Sequence, residues 1–69
     1  MANVKLIFNG TNGTDKHELQ CFINQDDEIY IEINIEPGSP ETPSWICLDK
    51  STAIKFAKTL RTEINKIEL

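Results

Sequence analysis

The sequence predicts an α+β fold: a four-stranded antiparallel β-meander with one C-terminal α-helix packed on one face, in the order ββββα. Residues 28–36 alternate isoleucine with polar residues or tyrosine, residues 37–44 contain all three prolines, and residues 53–67 place apolar residues at helical spacing. Strand side chains point alternately to opposite faces, whereas helix side chains return to one face every three or four residues. With 69 residues, we expect a single domain over 1–69.

The remaining strands are predicted from alternation and from turn residues. Apolar residues alternate from Val4 to Phe8 and from Leu19 to Ile23, and two Asn-Gly steps mark a loop between them. The proline-rich segment cannot form a strand ladder, so it is predicted to be a loop before a short last strand. The predicted bounds are about 3–9, 17–24, 28–36 and 44–48 for the strands and about 50–68 for the helix.

The pairing of the second and third strands follows from parity, because residues that face each other across an antiparallel pair lie on the same sheet face. A three-residue loop at 25–27 places Leu19, Cys21 and Ile23 on the same face as the isoleucines of the third strand; a five-residue loop also satisfies parity. In the fourth strand we expect Ile46 and Leu48 to point inward. The expected pairs are Ile23 with Ile29, Cys21 with Ile31, Leu19 with Ile33 and, on the outer face, Phe22 with Tyr30.

The helix is predicted to be amphipathic, and either Asp49 or Ser51 can cap its N-terminus. Its apolar residues except Ile54 fall within an arc of ~100°, with Ile54 at the rim and lysines opposite. About five turns span ~28 Å, close to the length of the isoleucine strand. We therefore expect the helix to cover the inward isoleucines, with Ile31, Ile33 and Leu60 among the most buried residues.

Composition and charge limit the classes of function that the protein can have. The net charge is −4, but residues 1–49 sum to −7 and residues 50–69 to +3. No N-terminal stretch resembles a signal peptide, and no apolar run approaches the ~18 residues of a membrane span. We expect a soluble cytoplasmic protein with reduced thiols and no membrane association. The abundance of Ile, Asn and Lys suggests an AT-rich genome, such as that of a low-GC bacterium or a phage.

The residue inventory argues against catalysis. A nucleophilic cysteine needs an adjacent base, and the one histidine, His17, precedes Cys21 by four residues on a strand whose parity buries the thiol. Glu28 and Glu32 lie ~13 Å apart along one face, too far for paired acid–base work. A disulfide between Cys21 and Cys47 is geometrically possible but disfavoured in a reducing compartment. We expect no catalytic residues, no metal and no cofactor.

The predicted function is a small non-catalytic protein-interaction module, of regulator or inhibitor type, that acts as a homodimer and binds an unidentified protein. One helix covers only ~10–12 Å of a sheet about 19 Å wide, which leaves part of the inner face or the outer aromatic cluster uncovered. We therefore expect the homodimer to bury at least one of Phe22, Tyr30 and Trp45. Its partner-binding surface is the acidic and aromatic outer face, which could also mimic nucleic-acid phosphates. The alternative is a nucleic-acid or nucleotide binder that uses the basic helix face or the Gly-containing loop; the acidic domain makes nucleic acid the weaker choice. The predicted partner-binding residues are Phe22, Tyr30, Trp45, Glu28, Glu32 and Glu36, and the anion-binding alternatives are Lys55, Lys58, Arg61 and Lys66.

Overall fold

The fold is given by a computed structural model that describes residues 6–38, 40 and 42–68. Four strands form one antiparallel sheet in the order β1-β2-β3-β4, and a single helix follows. The predicted ββββα order is confirmed. The elements are β1 (Phe8–Asn9), β2 (Glu18–Ile23), β3 (Ile29–Asn34), β4 (Ser44–Leu48) and α1 (Lys50–Ile64).

The predicted register between β2 and β3 is confirmed. A three-residue loop joins β2 to β3, closed by Asn24, whose backbone N–H donates to the Glu28 carbonyl at 2.9 Å. The Asn24 side-chain oxygen also accepts from the backbone N–H groups of Asp26 and Glu28, an Asx turn that fixes the loop. Asp27 takes the left-handed conformation this loop needs, at φ 60°. The confirmed pairs are Ile23 with Ile29, Cys21 with Ile31, Leu19 with Ile33 and Phe22 with Tyr30. Ile46 and Leu48 point inward as expected, because they pair with Ile31 and Ile29.

Three predicted strands are shorter than expected, β2 by only one residue at each end. Residues 3–5 lie outside the described part of the chain, and β1 begins only at Phe8, where pairing with Leu19 starts. β3 ends at Asn34 rather than at Glu36. Its neighbours supply the reason: β4 begins at Ser44, directly after a proline that has no N–H to donate to the ladder.

The helix begins as predicted and ends early. The Asp49 carboxylate, rather than Ser51, caps it by accepting from the Thr52 backbone N–H at 2.7 Å. This hydrogen bond holds the pKa of Asp49 below its usual value, and nearby Lys55 lowers the pKa further. Helical pairing ends at Ile64, where Asn65 is the C-cap, so the prediction of a helix to residue 68 was wrong. Asparagine favours helix ends because its amide competes for backbone hydrogen bonds.

The expectation of a covered inner face was wrong. Among the described residues none is fully buried; Ile33 keeps 42% of its surface exposed and Leu60 keeps 50%. Ile31 is half-buried. Helix α1 comes close to the sheet mainly at β4. The physical reason is the connection, since Asp49 alone joins β4 to α1 and leaves little chain with which to lay the helix along the sheet.

Candidate functional site

Three aromatic rings form a strip across the outer face of the sheet. Phe22 on β2, Tyr30 on β3 and Trp45 on β4 all have outward parity. The centroids of Phe22 and Tyr30 are 5.0 Å apart, and those of Tyr30 and Trp45 are 5.8 Å apart at an interplanar angle of 20°. Trp45 remains 59% exposed. These spacings lie in the range for stabilising aromatic pairs, so the strip is both ordered and accessible.

Carboxylates border this aromatic strip. The Tyr30 hydroxyl donates to Glu32 Oε1 at 3.1 Å, and Gln20 Nε2 donates to the other oxygen of the same carboxylate. Partial desolvation raises the pKa of Tyr30, and the hydrogen bond and negative charge of Glu32 raise it further. Glu28 lies at the other end of β3, within 3.5 Å of the Asn24 side-chain amide. The rings therefore lie beside fixed negative charge.

The structure brings together five of the six predicted partner-binding residues. Glu36 is the exception, because it follows the end of β3 and lines a separate pocket with the residues before β4. Two side chains on this face were missed: Gln20 and Asn24, which hold the orientations of Glu32 and Glu28. Their outward parity was the available signal, because they stand beside these acids in the predicted register.

An open apolar groove lies on the other side of the sheet. Ile23, Ile29 and Ile31 from the strands face Phe56 and Leu60 from the helix across a space of about 600 Å³. The lining is almost wholly apolar, with charges only at Asp27 and Lys50. We call this space the inner groove; its other lining residues are Cys21, Leu48, Ala53, Ile54 and Ala57. A shallower pocket continues along the helix past Ile64. The sequence did not predict this groove as a site.

The anion-binding alternative receives little support from the geometry. Lys55, Lys58, Arg61 and Lys66 are all exposed on α1 or just beyond it. Lys66 forms an ion pair with Glu63 at 2.8 Å, and Lys55 is near Asp49. In the Gly-containing loop, the Thr14 backbone N–H and hydroxyl both donate to the Thr11 carbonyl. Two of that loop's donors are thus used within the loop.

The two cysteines lie on opposite faces of the sheet. Cys21 lines the inner groove, whereas Cys47 pairs with Tyr30 and accepts a weak hydrogen bond from Asn24 on the outer face. Strands β2 and β4 are separated by β3, about 9.6 Å apart, so the disulfide thought possible from the sequence cannot form within the chain. Cys21 points inward as expected but is exposed, because the helix does not cover it.

Within residues 6–38, 40 and 42–68, no three His, Cys, Asp or Glu side chains cluster as metal ligands. In the same part of the chain no helix combines the length and apolarity needed to cross a bilayer.

Comparison with known proteins adds nothing further: no family model matches the chain, and no curated protein and no solved structure is significantly similar to it.

Proposed function

We propose that this protein is a non-catalytic protein-interaction module of regulator or inhibitor type, which acts as a homodimer and binds a basic segment of another protein. The observation that carries the proposal is the exposed aromatic strip of Phe22, Tyr30 and Trp45, with the Glu32 carboxylate fixed beside it. Aromatic side chains are the most frequent anchors of protein interfaces.

The negative charge of the outer sheet face favours a basic partner. The outward-facing positions of β2, β3 and β4 carry Glu18 and Glu32 and no lysine or arginine. An arginine guanidinium can stack on an exposed ring and form a bidentate pair with a carboxylate at the same time. Trp45 offers such a ring, and Glu32 is its cross-strand neighbour. An arginine-containing strand or loop therefore suits this face better than an anion or an apolar ligand.

Preorganisation supports binding rather than mere solubility. Tyr30 is held by Glu32 and packed between two rings, and Glu32 is held in turn by Gln20. A solvated face needs no such network, whereas a binding face gains affinity when its side chains lose little freedom on association.

Calorimetric titration of the full chain with an arginine-rich peptide and a glutamate-rich peptide of equal length tests the proposal. We expect binding of the first peptide alone, weakening with added salt. Trp45→Ala and Glu32→Gln should each weaken it at least about tenfold. Glu63→Gln is the matched control, because it removes the same charge from the helix. Equal affinity for both peptides, or an equal loss in the control, would contradict the proposal.

Capture from a lysate then extends the test to natural partners. Wild-type protein and the Trp45→Ala variant serve as paired baits. A basic protein retained by the wild type and lost from the variant fits the proposed role. If duplex DNA binds instead and the arginine-rich peptide does not, the basic helix face carries the function.

A further inference from the structure

We infer that a second copy of this chain fills the inner groove, so that helix α1 of each copy packs on the inner sheet face of the other around a two-fold axis. This inference rests on the homodimer of the proposed function and assigns its interface. It does not depend on what the outer face binds. The argument uses surface area, shape and charge.

The area left exposed is far above that of a compact monomer. The chain exposes 6359 Å², whereas a folded monomer of 7.9 kDa is expected to expose about 4,400 Å². Half of the difference of roughly 2,000 Å² would already supply a standard interface, which buries about 800 Å² on each partner. The Cα radius of gyration, 13.9 Å, likewise exceeds the ~11 Å expected for this length. A single copy therefore lacks the second half of a core.

The inner sheet face and helix α1 have complementary shapes, so a second copy of the chain can cover the exposed apolar surface. The inner sheet face is an apolar trough, and α1 is an apolar ridge whose Phe56 is 49% exposed. The 15 residues of α1 span ~22 Å, and the six residues of β3 span ~20 Å. A surface with one ridge and one trough of equal length is self-complementary, which is what a two-fold interface requires.

A small apolar ligand fits these observations less well. Ligand pockets combine apolar walls with a few converging polar groups, and the inner groove has charges only at one end. Apolar residues outside the groove are exposed as well, on both the sheet and the helix. They are Phe8, Leu19, Ile33, Ile46 and Ile64. A molecule confined to the groove would leave them bare, whereas a second copy brings a matching apolar surface to each.

The charge distribution also suits two reciprocal copies. The sheet segment, residues 1–49, sums to −7, and the helix segment, residues 50–69, sums to +3. Placing the helix of one copy against the sheet of the other brings opposite charges together twice. It leaves both outer faces free, so the dimer would present two aromatic strips to a partner.

The test combines solution mass with contacts between copies. Light scattering should give twice the mass of one chain at micromolar concentration, and the thermal midpoint should rise with protein concentration. In a sample mixed from labelled and unlabelled chains, filtered proton contacts should join Leu60 methyls of one copy to Ile31 of the other. Phe56→Ala should weaken dimerisation at least about tenfold, and Lys58→Ala, on the opposite helix face, by less than about threefold.

Each other outcome overturns the inference in a distinguishable way. A dimer whose contacts between copies fall on Trp45 would overturn the groove interface while keeping the homodimer. A mass of one chain, unchanged on tenfold concentration, would overturn both, as would a monomer that retains a bound apolar molecule in native mass spectrometry. The contact measurement uses wild-type protein, so it stands even if Phe56→Ala fails to fold.

Discussion

On the outer face of the sheet, side chains find partners on neighbouring strands, whereas on the inner face they point into an open groove. Phe22, Tyr30 and Trp45 stack across three strands, and Glu32 accepts from two side chains. On the inner side, Ile33 of the sheet and Leu60 of the helix remain about half exposed. The same ladder of backbone hydrogen bonds supports both faces, so the ladder alone does not explain the difference.

The contrast reflects the two kinds of interaction involved. Ring stacks and hydrogen bonds are short-range contacts that side chains make within the plane of one sheet. Apolar burial needs a second layer, because a sheet face loses its water only when something covers it. In this protein α1 leaves part of the inner face uncovered. A small domain with so little buried surface is marginally stable unless another element or another subunit completes the core.

The largest expected effect comes from truncating the inner side. Leu60→Ala should lower the free energy of unfolding by about 2–5 kcal/mol, because in the proposed dimer a second copy buries this side chain and the truncation leaves a cavity. Urea denaturation at fixed protein concentration measures the loss. Lys55→Ala, on the polar side of the same helix, should change stability by less than about 0.5 kcal/mol. A comparably small loss for Leu60→Ala would mean that the groove stays open in solution.

A smaller effect is expected on the outer side, where Tyr30, the one tyrosine of the chain, serves as a spectroscopic probe. Its pKa is raised above 10.0, mainly by desolvation and then by Glu32, so ultraviolet titration should show ionisation at a higher pH than in a free peptide. Because the folded pKa is raised, the associated stability is present below pH 10 and is lost as pH rises through the folded pKa.

Substitution of the neighbouring carboxylate sharpens this measurement. Glu32→Gln should bring the Tyr30 pKa part of the way back, because it removes a negative charge but leaves desolvation, the larger cause. Glu18→Gln, on the same face but opposite Asn34, should move it less. Equal shifts in the two variants would show that Tyr30 senses the general charge of the face rather than its hydrogen bond.

The smallest effect is expected at the junction of sheet and helix. Asp49→Ala should lower the thermal midpoint and the helical circular dichroism, because Thr52 loses its capping acceptor. Ser51→Ala should leave both unchanged. The pKa of Asp49 is lowered by the cap, so its contribution is present above its ordinary pKa of 3.8 and is lost as pH falls through the folded pKa. An acid transition identical in Asp49→Ala and wild type would contradict this role.

Much of the sheet was predictable because strand register is a local property. The alternation of apolar residues from 19 to 33 assigned every side chain to a face, and parity then favoured the three-residue loop that pairs Phe22 with Tyr30. Five residues of the proposed binding face follow from the same reasoning. Glu36 does not, because β3 ends where its two neighbours stop pairing with it, at Glu18 of β2 and Ser44 of β4, and the alternation itself continues past that point.

The sequence by itself determined the order ββββα, the faces of the strands and a capped amphipathic helix, since each depends on residues close together along the chain. Only the tertiary structure decided that Cys21 and Cys47 lie on opposite faces of non-adjacent strands, and that α1 leaves the inner face open. Matched lengths allowed the helix to cover the sheet, but its path is set by the one-residue connection at Asp49. The packing of the helix on the sheet depends on the path of α1 and on how much apolar surface a second layer can bury. Neither is encoded in the local periodicity of the sequence.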